Sequence, residues 1–243
     1  KGKVPGHHQS YTIKAKVPGD LITDLQAASL VGDPLYELNF MNATMWDSYV
    51  WTYSTAFTMA ADRLDRIRAA GGSHLLIFDG VKMGVNVKLN GKVVGQTTDQ
   101  FLRYEFPLDG TLLQAGAGAN TLTVEFDPSI DCQGRWMACT GGWDWAPYTN
   151  TKSFGKATFS KGIWRSVYIA EVTAVAIKHV VPQITYLGEY PTAPLSEGTH
   201  GGFKVDVKVH LWGAAKSSTG TLKVTGSWGQ TASTQVTVPA GDS

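Results

Sequence analysis

From Trp46 onward the chain alternates apolar and polar residues with a period of two. Between Ser48 and Met59, Tyr49, Trp51, Tyr53 and Phe57 alternate with small or polar side chains, the pattern of a strand with one buried face. Ser73 to Val81 is a shorter apolar run. Met83 to Thr98 carries Val85, Val87 and Leu89, then Asn90-Gly91, then Val93-Val94. Asn-Gly between two apolar runs predicts a two-residue hairpin, because both residues tolerate positive φ. Phe101 to Leu108, Thr121 to Phe126 and Gly162 to Glu171 complete a first set of strands. One short helix is expected: Leu21, Leu25, Ala28 and Ser29 follow at helical spacing behind Asp20 as N-cap, ending by Gly32-Asp33-Pro34. Ala60 to Ala70 has helical propensity, yet it lies between two strong strands and stops at Gly71-Gly72. It is read as a connection with about one turn.

A boundary falls between Glu171 and Ala176. Beyond it, Val175 to Ile184, Phe203 to Trp212, Gly220 to Trp228 and Ser233 to Val238 read as four strands, with a polar loop from Gly188 to Gly202. The expected fold class is all-β. A jelly-roll sandwich fills residues 1–173, and an immunoglobulin-like sandwich occupies residues 174–243. About 70 residues are short of the roughly 100 that an immunoglobulin-like domain takes. The second domain is therefore expected to be partial, either a fragment or a sandwich completed by another polypeptide. No repeat or low-complexity tract is seen.

Composition narrows the function classes. Lys and Arg (21) nearly balance Asp and Glu (20), for a net charge of +1. That gives no field favouring nucleic acid or an anionic membrane. No apolar run approaches the roughly 20 residues of a membrane helix, so no membrane insertion is expected. The chain opens on Lys1-Gly2-Lys3 without Met, which fits a trimmed N-terminus and equally a chain boundary. Asn42-Ala43-Thr44 is an N-glycosylation sequon, with Asn42 the acceptor. The two together tilt the expected location towards the secretory route, a secreted or lysosome-like lumenal protein. Cys132 and Cys139 share one loop, and both a disulfide and two free thiols remain open. Eight Trp, nine Tyr and nine Phe in 243 residues suit both sandwich cores and sugar-facing surfaces.

Candidate chemistry is sparse. His74, His179, His200 and His210 lack metal-ligand spacing and read as structural or solvated; no metal or cofactor is expected. No phosphate loop and no Gly-x-Ser-x-Gly elbow is present. The acids Asp47, Asp79, Glu105, Asp127, Asp131 and Asp144 do not declare a glycosidase pair from sequence. Asp109 and Asp127 read as turn residues. One cluster stands apart: Gly141-Gly142-Trp143-Asp144-Trp145-Ala146-Pro147-Tyr148 sets two indoles around a carboxylate in a Gly- and Pro-bounded loop. Sugars are bound by such pairs, a ring on the C–H face and an acceptor for hydroxyls. A buried aromatic plug at the sandwich end uses the same residues, and the residues alone leave both readings open.

Here the sequence resembles a known family. GGWDWAP followed by Lys161 to Ile169 (KGIWRSVYI) is similar to the sugar-binding module of family 2 glycoside hydrolases, in its β-mannosidase-like branch. Val17-Pro18-Gly19-Asp20 with Asp24-Leu25, and Val87 to Lys92 with Gly95, resemble two further motifs in the family's order. The matches span about residues 17–170. The resemblance implies a jelly-roll module of the galactose-binding-like type, an immunoglobulin-like domain and then a (β/α)₈ barrel bearing two catalytic glutamates. No catalytic residue then lies in this segment. Trp143 and Asp144 become substrate-binding, with Trp145 supporting, and the partners are a terminal β-linked sugar and the downstream barrel. Trp164 and Arg165 read as structural, an indole in the core and a paired Arg. The sequence departs from the pattern at Ala146, where the family has Gly, and in a longer stretch from Ser153 to Ser160. The expected function is the N-terminal part of an exo-acting, retaining β-glycosidase; the rival is a non-catalytic carbohydrate- or protein-binding module derived from one.

Overall fold

A computed structural model of the chain describes residues 2–3, 10–33, 35–82, 84–127, 129–130, 161–196, 198 and 200–241. The expected helix forms as α1 (Leu21–Ala27). Its N-cap Asp20 is extended, and its carboxylate accepts a hydrogen bond from the Ile22 backbone N–H at 2.8 Å. A short helix α2 (Asn39–Asn42) and a 3₁₀ turn (Ala43–Ser48) follow, two elements the periodicity did not announce. The stretch read as a single turn is a ten-residue helix, α3 (Ala61–Ala70). Leu64 and Ile67, three apart, are buried on one side while the Arg and Asp residues ride outside. Gly71 then ends it at φ 67°, with Gly72 N–H returning to the Ile67 carbonyl. The two glycines are its C-terminal cap, so the signal taken to forbid a helix is the one that finishes it.

The strands are β1 (Gly2–Lys3), β2 (Ser10–Tyr11), β3 (Val50–Met59), β4 (Ser73–Phe78), β5 (Val85–Leu89), β6 (Lys92–Thr97), β7 (Tyr104–Leu108), β8 (Gly116–Phe126), β9 (Val167–Val172), β10 (Val175–Tyr186), β11 (Phe203–Gly213), β12 (Ser218–Thr225) and β13 (Thr231–Val238). They form a multi-sheet, all-β sandwich architecture of the kind expected for a jelly roll. The chain divides into two compact units, residues 1–66 with 74–170, and residues 67–73 with 171–243.

In the first unit, six strands run in the order β2-β1-β3-β8-β5-β6, and a second sheet runs β7-β4-β9. Period-two alternation turns Trp51 and Tyr53 of β3, Val85, Val87 and Leu89 of β5, and Leu122, Val124 and Phe126 of β8 to one face. Leu76 and Phe78 of β4 and Phe106 and Leu108 of β7 join them in one core. β4 is buried at every residue from His74 to Phe78, which is why it reads as a run rather than an alternation. The Asn90-Gly91 turn has φ of 51° and 80° at its two residues, the geometry the hairpin requires. Gly95 marks where the Phe106 ring packs against the sheet: a Cβ there would run into the ring.

The second unit holds two antiparallel pairs, β10 with β11 and β12 with β13. Ile177, Val180, Pro182 and Ile184 of β10 stand opposite Leu211, Val209, Val207 and Val205 of β11, making one apolar face. The β11 residues are half-buried, whereas Ile177, Val180 and Ile184 are exposed.

Candidate functional site

The loop expected to meet sugar, Trp143, Asp144 and Trp145, lies outside the described residues. So do Ala146, the Cys132 and Cys139 pair, and Ser153 to Ser160. What the structure builds in full is the frame from which that stretch departs and to which it returns.

Departure is fixed by Asp127, at the end of β8. Its Oδ1 accepts from the backbone N–H and hydroxyl of Ser129, at 2.9 and 2.6 Å, and its Oδ2 from Asn86 Nδ2 at 3.0 Å. Those Ser129 bonds hold the carboxyl below its ordinary range. Asp127 is thus the turn residue the sequence indicated. Ile130, the last described residue before the loop, sits against Gly84, where a Cβ would meet it at 2.9 Å.

Return is fixed more tightly. Gly19 N–H donates to the Ile163 carbonyl at 2.8 Å and Leu21 N–H to the Lys161 carbonyl at 2.7 Å. Gly162 exchanges two backbone bonds with Lys82. A Cβ on Gly162 would stand 2.6 Å from the Gly19 carbonyl oxygen, so this glycine is needed for close approach. The Val17-Pro18-Gly19-Asp20 motif and the Lys161 to Arg165 motif therefore meet in space. Their common occurrence in one sequence has a physical basis: each supplies the other's backbone partners.

Trp164 corrects an expectation. Its indole is 36% exposed rather than in the core. The Nε1–H donates to the Gln100 carbonyl at 3.1 Å, Gly80 leaves room for the ring, and Phe101 meets it edge-on at 6.3 Å. Arg165 is paired, as expected, but with a ring: its guanidinium carbon lies 4.5 Å from the centre of the Trp164 ring.

Several buried polar residues of this module escaped the sequence reading. Lys82, Asp99 and Gln100 are almost fully enclosed. Asp99 accepts from Phe101 N–H at 2.9 Å, and the Tyr104 hydroxyl accepts from the N–H groups of Thr98 and Asp99. A lysine inside the apolar stretch Val81 to Val85 was the available signal, since an enclosed ammonium is tolerated only with compensation. Behind α1, Asp24 is also buried. It accepts from Lys16 N–H at 3.0 Å and from the Tyr53 hydroxyl at 3.2 Å. Burial pushes its carboxyl up, against the pull of those two bonds, and burial also pushes the Tyr53 phenol up. Among the described residues no three His, Cys, Asp or Glu side chains gather as a metal site would require.

Residues 3–165, two thirds of the chain, match the family described as the glycosyl hydrolase 2 galactose-binding domain-like domain. The chain belongs to glycoside hydrolase family 2. Within that family it is related to β-mannosidases. It is 28% identical over 206 residues to β-mannosidase B of Aspergillus flavus, covering 75% of this chain and 22% of that protein. It is 25% identical over 235 residues to a β-mannosidase of Rattus norvegicus, covering 85% and 24%. Among solved structures, the β-D-mannosidase from Dictyoglomus thermophilum shares its fold with a TM-score of 0.69 at 23% identity, over 99% of this chain and 28% of that one. The Amycolatopsis orientalis exo-chitosanase shares it at 0.63 and 20% identity, over 98% and 25%. The chain thus spans about a quarter of the length of the family 2 relatives it matches.

Proposed function

We propose that this chain is the N-terminal part of an exo-acting, retaining β-glycosidase of β-mannosidase type, and that it is not catalytic alone. The observation that carries the reading is the family match over residues 3–165 together with β-mannosidase relatives about four times longer. In this reading Trp143 stacks on the terminal sugar, Asp144 accepts its hydroxyl hydrogens and Trp145 supports the loop. A downstream (β/α)₈ barrel would supply the two carboxyls. The second unit is the start of an immunoglobulin-like sandwich. Its support is the apolar face of β10, which further strands would cover. The protein travels the secretory route; Asn42, exposed at the end of α2, is the glycan acceptor.

The test is hydrolysis of aryl β-mannoside, β-galactoside and β-glucosaminide by the longer protein and by residues 1–243. Turnover of the mannoside by the longer protein, and none by the segment, is expected. Asp144→Ala should lower kcat/KM by about 10- to 100-fold, the loss of one charge-assisted hydrogen bond. Turnover by the segment alone would overturn its non-catalytic role. A longer protein with no glycosidase activity, whose segment still binds sugar by Trp fluorescence, would favour the binding-module reading.

A further inference from the structure

The surface beside the loop frame carries a patch that no activity in the segment itself explains. Phe101 and Leu102 are 58% and 53% exposed, and Phe101 meets the Trp164 ring edge-on. The patch is held rigidly from beneath. Trp164 is fixed by its bond to the Gln100 carbonyl and by Gly80, and Arg165 N–H by the Gly80 carbonyl at 3.2 Å. Phe101 N–H is held by Asp99. Arg165 is exposed, and among the described residues its side-chain partner is the indole, not a carboxylate. Arg103, by contrast, is neutralised by Asp79 at 2.7 Å. The result is an exposed aromatic and aliphatic surface with an exposed guanidinium lying over the Trp164 ring. Rigid Trp, Phe and Arg groups at an accessible site are the composition of an interface hot spot, because little side-chain entropy is lost on docking.

We propose that Phe101, Leu102, Trp164 and Arg165 form the seat on which a later domain of the same longer polypeptide docks, through an apolar surface bearing a carboxylate opposed to Arg165. The inference rests on the reading that the protein continues well past this segment. The length of its relatives argues for that occupant: roughly three quarters of each lies outside the matched part. Arginine favours a carboxylate, which its planar fork binds through two parallel N–H···O bonds.

The experiment places the photo-crosslinker p-benzoylphenylalanine at position 101 of the longer protein and maps the adduct by mass spectrometry. An intramolecular adduct beyond residue 243 is expected. An adduct within residues 131–160, an adduct between two copies, no adduct, or a coding frame that ends at 243 would each overturn the proposal. A second measurement compares Arg165→Glu and Phe101→Ser in the longer protein and in residues 1–243. Loss of the two Trp164 contacts lowers Tm by a few degrees in the segment, and a fall larger than that by about 3–6 °C in the longer protein is expected. An equal fall in both marks a role internal to the segment and overturns docking. Hydrolysis of aryl β-mannoside, run in parallel, separates the two ideas. An active enzyme with an internal adduct fails only the docking seat; an inactive protein with an adduct beyond 243 fails only the glycosidase reading.

Discussion

Gly95 and Asn90 show how single positions in a short motif carry architecture. Gly95 lets the Phe106 ring lie on β6, and Gly95→Ala would drive a methyl into it. The expected cost is about 1–3 kcal/mol, as for other overpacked cores, read from the denaturant midpoint. Phe106→Leu in the same background should recover part of that loss, since the two sites share one contact. Asn90 does more than turn the hairpin. It exchanges bonds with Thr121, its N–H to the Thr121 carbonyl and the Thr121 N–H to its Oδ1, and its Nδ2 donates to the Leu112 carbonyl and to Asn120 Oδ1. Asn120, fully buried, in turn holds Gln114 through both its amide ends. The turn was legible from Asn-Gly; Asn120 was not, because an asparagine in a strand announces no partner until the fold brings one. Asp24 supports a pH prediction. Its folded carboxyl sits above its ordinary 3.8, so the native state holds the proton more tightly than the unfolded chain. Its contribution to stability is complete below pH 3.8 and is lost as pH rises through the raised value. Denaturant stability of Asp24→Asn, compared with the parent between pH 3 and 7, should lack that fall.

Among the elements, the strands and α1 were readable, whereas α2, the 3₁₀ turn and the length of α3 were not. Period-two alternation located β3, β5, β6, β10 and β11 within a few residues. β8 begins at Gly116, five residues before the expected Thr121, because its opening Gly-Ala-Gly-Ala holds no alternation to read. The helix α3 was underestimated because propensity was weighed against its neighbours, while its two buried contacts, Leu64 and Ile67, are fixed by tertiary packing. The pair of β10 and β11 has an apolar face, and an opposite face with Lys204, Asp206, Lys208 and His210 on which Val181 is the apolar exception. Two paired strands alone are marginal in water. Ile184 is 67% exposed. Ile184→Lys should therefore shift the stability of residues 1–243 by less than about 0.5 kcal/mol. If further strands cover this face in the longer protein, the same change there should cost about 3 kcal/mol or more through an enclosed, unpaired charge. Equal, small effects in both would remove the covered-sandwich reading of the second unit.

For the molecule as a whole, family and architecture came through motifs, while the expected sugar loop lies outside the described residues. Trp143, Asp144 and Trp145 drew attention by composition, yet composition could not separate a sugar loop from a core plug. Trp164 shows why such distinctions are hard. The family motif implied an indole in the core; its ring is about a third exposed, with Gly80 beneath it and its N–H on the Gln100 carbonyl. Only three-dimensional neighbours decide which Trp is enclosed, as Trp51 is, and which is displayed.

The two hydrogen bonds that join Gly19 and Leu21 to Ile163 and Lys161 link positions about 140 residues apart. On the ribosome, the first of these segments emerges long before its counterpart exists. At about 5–20 residues per second of synthesis, the gap is roughly 7–30 s. For that interval α1 has no closing partner, and the nascent module must wait with its first seam open. A chaperone, or a pause in translation before Lys161, would act on this unclosed species.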